Sequence, residues 1–296
     1  MLKIKKKDMA VLIAATALAG ISLLARDTIA QRMLYLCAMV VGVGIGYALS
    51  NHLGRGKCEI LLYCVVLVFS TVSLLLGWNT FTHGRWLATS VINLYFPGLF
   101  PLAAPLVVWL KEQKKLLLAV CAWGGLMLIS LLMNSVDGLI LCVGVLTMLV
   151  WENKAIRITV LFLATALLGL LIWHQFNIGM TALLADINYS VAELLYRWGF
   201  IPYAVLSFAL GMIFSGLSDA RNRNLRNVFM IFIVVRAAVH YICMAIQVET
   251  GVLISLTELP FMGHTTSNVT DYTILVWALL NTHTKEEPFL LKDDCV

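Results

Sequence analysis

The sequence predicts an all-α fold class, a polytopic membrane protein built as a bundle of about ten transmembrane helices. Composition is the first observation, since 61% of the 296 residues are hydrophobic and only 12% are charged, which would not keep a soluble domain of this size in water. Patterning is the second observation. Ten apolar stretches alternate with polar connectors, and most reach the roughly 17–25 residues that a helix needs to cross ~30 Å of hydrocarbon.

Ten predicted helices follow one another in a single membrane domain. They cover residues 9–25, 33–50, 58–77, 91–110, 116–133, 138–151, 156–174, 200–217, 228–248 and 268–283. The apolar run 116–151 is too long for one crossing, and the turn-forming residues 134–138 divide it into a helical hairpin. The strongly apolar part of the last stretch covers only residues 272–280.

The positions of the basic residues predict that both termini are cytoplasmic. Of the 21 Lys and Arg residues, 16 fall at the two ends of the chain or in every second connector, and basic residues near helix ends resist translocation. The stretch 9–25 is longer than the apolar part of a signal peptide, so we expect an uncleaved first helix. The net charge of +5 reflects this orientation and contact with anionic lipids, and it does not indicate nucleic-acid binding.

The seven cysteines predict neither a disulfide framework nor a zinc site. All of them lie in apolar stretches or on the predicted cytoplasmic side, and none has the paired spacing of zinc ligands. Function is therefore expected in the outward-facing connectors or in polar residues within the bilayer.

Two outward connectors, 175–199 and 249–267, are much longer than the others. Long connectors in compact domains tend to carry function. The first contains a pattern typical of a short amphipathic helix, in which Glu193 and Arg197 stand at the spacing of an ion pair. The simpler interpretation is an interfacial helix with a surface salt bridge.

The second long connector mixes Pro, Gly and hydroxyl residues around Pro260. This mixture beside a helix predicts backbone that folds back into the protein, which is tolerated at membrane depth where it lines a cavity. Its hydroxyls, such as that of Ser267, and its backbone N–H groups suit an oxygen-rich head group. A plain surface loop is the alternative.

One charged residue, Arg236, falls near the middle of the predicted helix 228–248, with His240 one turn later on the same face. A charge at that depth is costly and must face a cavity, a partner or a lipid phosphate. Asp137 and Glu258 are the candidate partners. Two interpretations stay open: a buried structural ion pair, or a groove in which Arg236 and His240 bind phosphate oxygens.

Four local stretches carry a resemblance to a known family. They are residues 84–87 followed by Phe96 and Pro97, then 135–138, then 188–200, and finally 259–267. Their order, together with the predicted topology, resembles the SEDS family, the membrane glycosyltransferases of bacterial shape, elongation, division and sporulation. Gly98 stands where the family has Ser, and Asn188 stands where the family has its essential Asp.

The resemblance implies polymerisation of lipid II, a sugar diphosphate on a long isoprenoid tail, in the bacterial inner membrane during growth, shape maintenance or division. Such chemistry needs a carboxylate base at the outer surface and a cation opposite the pyrophosphate. Asp186 and Glu193 are the candidate catalytic carboxylates. The candidate substrate-binding residues are Arg85, Asp137, Asn188, Arg197, Arg236, His240, Glu258, Pro260, His264 and Ser267.

The same resemblance implies a class B penicillin-binding protein as partner, in addition to membrane lipids. No firmly bound cofactor is expected. Any metal would be a weakly held divalent cation, Mg²⁺ or Mn²⁺, on Asp137, Asp186 or Glu193 together with phosphate.

Two alternatives to the polymerase stay open. A catalytically silent SEDS-like protein would bind the substrate or act as a scaffold for the transpeptidase partner, since the amide of Asn188 has no useful basicity. A transporter or flippase for a lipid or small anion would use Arg236 and His240 within the membrane.

Overall fold

The structure is a computed structural model, and it describes most of the first half of the chain and parts of the second. The described residues are 6–24, 28–52, 56–77, 84, 86–88, 93–133, 135–149, 205, 208–213, 229, 232–233, 235–240, 242 and 259–280. The elements with described bounds are α1 (Lys6–Leu24), α2 (Ile29–His52), α3 (Lys57–Gly77), β1 (Trp86–Ala88), β2 (Asn93–Tyr95), a 3-10 helix (Phe96–Leu102), α4 (Ala104–Glu112), α5 (Leu116–Leu132), α6 (Val136–Leu149) and α7 (Thr265–Leu280).

The apolar runs form helices close to the predicted positions. The bounds of α1, α2, α3, α5 and α6 differ by a few residues from those that the sequence predicts. In the described part of the chain, α2 and α3 are long and apolar enough to cross a membrane, and α1, α5 and α6 supply shorter apolar helices. The last helix, α7, begins at Thr265, three residues before the predicted stretch 268–283.

The predicted helix 91–110 is wrong as a single element. Within it, Asn93–Tyr95 form β2, which pairs antiparallel with β1 so that Tyr95 lies opposite Trp86. A 3-10 helix with Pro97 and Pro101 follows, and only then does α4 begin, with Pro105 in its first turn. Proline lacks a backbone N–H and clashes with the preceding turn of an α-helix, so this spacing of prolines breaks the apolar run into short pieces.

The hairpin of α5 and α6 forms as the turn-forming residues predict. Ser135 begins α6 as its N-cap, because its hydroxyl accepts a hydrogen bond from the N–H of Gly138 at 3.2 Å. The N–H of Ser135 in turn donates to the carbonyl oxygen of Ser130 at 2.8 Å and closes the turn from α5. As a result, Asp137 stands in the first turn of α6, at the end of the hairpin.

The pairing of α2 with α7 is the most extensive helix contact described. Two glycines of α2 permit this close approach: a Cβ atom at Gly42 would lie 2.6 Å from the carbonyl oxygen of Val269, and one at Gly46 would lie 2.5 Å from that of Thr273. The hydroxyl of Thr273 also donates to the carbonyl oxygen of Gly42 at 3.1 Å. Small residues four apart are typical of helices that pack closely in membranes.

Several predicted segments lie outside the described residues, namely 156–174, 175–199 and 249–258. Of the predicted helices 200–217 and 228–248, the structure describes the helical residues 208–213 and 235–240. The cytoplasmic position of both termini stays a prediction.

Candidate functional site

Buried polar side chains collect at one end of the helix bundle, where α3 ends, α5 turns into α6 and α7 begins. Residues 259–263 lead into α7 at this end. The first half of α7 is polar, yet its side chains are buried. These buried polar residues are Thr266, Ser267, Asn268, Thr270, Asp271 and Thr273. Burying polar groups costs free energy unless they are hydrogen-bonded, so this half of α7 packs against other polar groups of the protein.

A buried ion pair joins α7 to the helical segment 235–240. Nη1 of Arg236 lies 3.0 Å from Oδ1 and 3.3 Å from Oδ2 of Asp271, and the two side chains are only 2% and 1% exposed. The guanidinium also lies over the ring of Phe232, with Cζ 4.6 Å from the ring centroid, which is a cation–π contact. Each charge thus has the partner that a charge at this depth requires.

The carboxylate of Asp271 also accepts a hydrogen bond from a turn formed by residues 259–262. The backbone N–H of Phe261 donates to Oδ2 of Asp271 at 2.8 Å, and the N–H of Met262 donates to the carbonyl oxygen of Leu259 at 3.1 Å. Pro260 at the second position and a φ of 64° at Phe261 give this segment the pattern of a type II turn. Gly or Asn is usual at that third position, and the left-handed conformation costs another residue roughly 1–2 kcal/mol.

Phe261 is held on its other sides by three aromatic residues. The hydroxyl of Tyr35 on α2 donates to its carbonyl oxygen at 2.8 Å, and its buried ring packs edge-on against Phe229 and Tyr272 at centroid distances of 6.3 and 5.2 Å. The hydroxyl of Tyr272 lies 3.1 Å from that of Tyr35 and 3.3 Å from the carbonyl oxygen of Ala15 on α1. The turn is therefore fixed to α1, α2 and α7 together.

Tyr95, the last residue of β2, connects the start of α7 to the α5–α6 hairpin. Its hydroxyl donates to Oδ2 of Asp137 at 2.9 Å. The hydroxyl of Thr266 donates to its carbonyl oxygen at 2.6 Å and accepts its N–H at 3.1 Å. The ring of His264 lies with its centroid 6.0 Å from that of Tyr95. Tyr95 thus contacts polar residues of two separate segments, the first turn of α6 and the start of α7.

Gly98 packs directly against the first turn of α7. A Cβ atom there would lie 2.4 Å from Oγ and 3.0 Å from the backbone nitrogen of Ser267. A side chain at this position would therefore overlap the first turn of α7, so the observed packing of the 3-10 helix requires glycine here.

Six of the predicted site residues fall in the described part of the chain. They are Asp137, Arg236, His240, Pro260, His264 and Ser267. Tyr95 contacts both Asp137 and His264, whereas Arg236 reaches the Pro260 turn through Asp271. His240 is fully buried one helical turn from Arg236. The structure therefore brings Asp137 and His264 together around Tyr95, and Arg236 and the Pro260 turn together around Asp271.

The structure gives Arg236 a partner, Asp271, that the sequence analysis did not name, since it proposed Asp137 and Glu258. Asp271 forms the pair, while Asp137 bonds to Tyr95 and Glu258 lies outside the described residues. The sequence analysis did not name Asp271, Tyr35, Tyr95 or Tyr272. A lone carboxylate beside the apolar residues 272–280 was the available indication, because an intramembrane charge calls for an opposite one.

The remaining predicted site residues lie outside the described residues. They are Arg85, Asp186, Asn188, Glu193, Arg197 and Glu258. Among the residues that the structure describes, no three His, Cys, Asp or Glu side chains are grouped as metal ligands would be. The expected Mg²⁺ or Mn²⁺ stays a prediction, since two of its three candidate carboxylates are among the residues not described.

No family model and no curated protein matches the sequence. Two solved structures match the fold, both of the rod-shape-determining protein RodA of Thermus thermophilus. An Asp-to-Ala mutant of RodA superposes with a TM-score of 0.66 and 16% sequence identity, over 95% of this chain and 97% of that chain. The unsubstituted protein gives a TM-score of 0.62 and 15% identity, over 94% and 96% of the two chains. This chain has the RodA fold.

The match to the RodA fold covers almost the whole length of both chains. A RodA fold is a polytopic bundle of helices, and the predicted fold class is confirmed in that respect. The resemblance to the SEDS family is likewise confirmed at the level of the fold. The low sequence identity is that of a divergent chain.

Proposed function

We propose that this protein acts in bacterial peptidoglycan synthesis, and that it binds lipid II at the outer face of the inner membrane. One observation carries the proposal. Three stretches that resemble SEDS motifs are far apart in the sequence, yet Tyr95, beside the first of them, is hydrogen-bonded to Asp137 in the second and to Thr266 in the third, at one end of a RodA fold. A shared binding surface explains why resembling stretches meet there.

The chemistry of this end of the bundle suits a sugar diphosphate. The partly exposed side chains of His264 and Thr265 offer polar groups to an oxygen-rich head group, and the positive end of the α7 dipole lies at Thr265. Arg236 is engaged with Asp271. The pyrophosphate charge is therefore assigned to Arg85 and Arg197, the two outward-facing arginines of the predicted topology that lie in the stretches resembling the family, with bidentate geometry as the physical reason.

Polymerisation requires a base for the acceptor hydroxyl, and we assign that role to Asp186 or Glu193. The test is purified full-length protein in lipid nanodiscs with fluorescent lipid II, with and without Mg²⁺ or Mn²⁺. We expect saturable binding and labelled glycan chains, and we expect Asp186→Ala or Glu193→Ala to abolish the chains while binding persists. Undecaprenyl phosphate, which has the tail without the disaccharide, is the control. Equal binding of both lipids would contradict the proposal.

A catalytically silent relative is the second candidate, favoured by the amide at Asn188 where the family has a carboxylate. In that case Asp186→Ala and Glu193→Ala leave the cell-wall phenotype unchanged. A scaffold also needs a surface for the class B penicillin-binding protein, and exposed apolar side chains of α3 such as Leu75 and Leu76 offer one. Loss of partner pull-down on substituting them, with glycan synthesis absent in the wild type, favours this candidate.

The observation that suggested a transporter no longer requires one. That alternative rested on Arg236 and His240 as polar groups within the membrane that require an anionic ligand. Because Asp271 neutralises Arg236, the charge no longer requires a transported anion. Anion flux in proteoliposomes that disappears with Arg236→Ala would restore this alternative.

A further inference from the structure

Asp271 accepts hydrogen bonds from Arg236 and from the backbone N–H of Phe261, and only the contact with Arg236 neutralises a charge. Its carboxylate oxygens face Nη1 of Arg236 at 3.0 and 3.3 Å, while Oδ2 also accepts the backbone N–H of Phe261 at 2.8 Å. An ion pair that only balanced charge would not need the second contact. Here the carboxylate also fixes the backbone of a turn.

The hydrogen bond from the N–H of Phe261 to Asp271 joins two residues ten positions apart, and it closes the chain into a loop around the start of α7. Inside it, Nδ2 of Asn268 donates to the carbonyl oxygen of Gly263 at 2.7 Å. His264, Thr266 and Ser267 lie within this closed loop. Their positions therefore depend on two side chains of α7 that bond back to the turn.

We infer that Asp271 is a positioning residue, which sets where the partly exposed residues 264 and 265, at the start of α7, present their polar groups to the lipid-linked substrate, with Arg236 orienting its carboxylate. The inference rests on the proposed function, since that function makes the start of α7 a binding surface. It deepens that function, because neither Asp271 nor Arg236 needs to touch the substrate.

The backbone of Phe261 explains why loss of the acceptor moves the turn. A positive φ of 64° is unfavourable for a residue with a Cβ atom. Its N–H is held by Asp271 and its carbonyl oxygen by Tyr35, and these bonds offset that cost. Without the carboxylate oxygen, the peptide relaxes toward negative φ and residues 264–267 are displaced.

Two charge-free double variants separate positioning from charge balance. Arg236→Met with Asp271→Asn keeps a carbonyl oxygen for the Phe261 N–H, whereas Arg236→Met with Asp271→Leu removes it. Both lack the buried charges, and replacing a buried ion pair by apolar side chains is often neutral for stability. Each is compared as full-length protein in nanodiscs, at a temperature where thermal unfolding shows both to be folded.

Two readouts are measured: amide hydrogen exchange of residues 264–267 without ligand, and binding of fluorescent lipid II. We expect the Leu variant to exchange about tenfold faster and to bind about tenfold more weakly than the Asn variant, as loss of one buried hydrogen bond implies. If the Leu variant does not fold, Asp271→Ala replaces it in the same comparison.

Equal exchange and equal binding in the two variants would overturn the inference, because charge balance alone would then explain the pair. A wild-type protein that binds no lipid II, with exchange still different between the variants, overturns the proposed function and leaves the positioning of the turn intact. Different binding with equal exchange overturns positioning, since Asp271 would then act on the ligand directly.

Discussion

The hydroxyl of Tyr95 donates a hydrogen bond to Oδ2 of Asp137 at 2.9 Å, and the backbone of the same tyrosine exchanges two hydrogen bonds with the hydroxyl of Thr266. The residues in these two contacts are 42 and 171 positions apart in the sequence. A short strand end thus joins the α5–α6 hairpin to the last helix, at the end of the bundle where the proposed substrate binds.

Tyr95→Phe is expected to lower the free energy of unfolding by about 1.5–3 kcal/mol, because it removes a hydrogen bond to a buried carboxylate. Thermal unfolding of the purified protein in detergent measures the change. Tyr63→Phe is the matched control, since that hydroxyl donates to the uncharged carbonyl oxygen of Ala122, and about 1 kcal/mol is expected there. An equal loss in both variants would contradict a special role for Tyr95.

Tyr35→Phe is expected to loosen the Phe261 turn from the side opposite Asp271. The carbonyl oxygen of Phe261 loses its donor, so amide exchange in residues 259–263 rises about tenfold. Tyr47→Phe, on the same helix but 47% exposed, serves as control and is expected to change exchange little. Unchanged exchange in the Tyr35 variant would show that α2 does not hold the turn.

Gly46→Ala is expected to separate α2 from α7 and to cost about 1–3 kcal/mol of stability, because the new methyl group would overlap the backbone of α7. Gly44→Ala, two residues away in the same helix, has nothing within 4 Å of its added Cβ atom. It should be neutral, or stabilising by up to about 1 kcal/mol from helix propensity. Thermal unfolding of the two variants side by side tests the helix pairing.

Neutralising one member of the buried ion pair is expected to be more damaging than neutralising both. Asp271→Leu alone leaves the charge of Arg236 in the interior and should cost about 3–5 kcal/mol, whereas the double variant with Arg236→Met should regain most of that. Yield of folded protein and unfolding temperature measure the difference. Additive losses in the single and double variants would mean that the two charges do not stabilise each other.

Helix positions were predictable from the sequence wherever hydropathy alone decides them. α3, for example, begins and ends within a residue of its predicted bounds. The prediction of one helix over 91–110 was wrong because an apolar run does not distinguish an α-helix from a strand followed by a 3-10 helix. Its prolines at positions 97, 101 and 105 carried that information, since each removes a backbone donor.

The residue types of the site were predictable from the sequence, but most contacts between these residues were not. Arg236 was found from its charge alone, whereas its partner lies 35 residues away on another helix. Which faces of two helices meet depends on packing along their whole length, here on Gly42 and Gly46 for α7. Local sequence patterns therefore identify polar residues at this end of the bundle, whereas the hydrogen bonds between them depend on how the helices pack.

The pairing of α2 with α7 also sets an order of events during synthesis. The Gly42 and Gly46 face of α2 leaves the ribosome more than 200 residues before α7 does, and Arg236 is likewise translated before Asp271. The segment that carries Arg236 therefore reaches the membrane before the helix that carries its carboxylate partner. When α7 is complete, it packs against Gly42 and Gly46 and brings Asp271 to Arg236. The ion pair and the Phe261 turn then form in one late step of biogenesis.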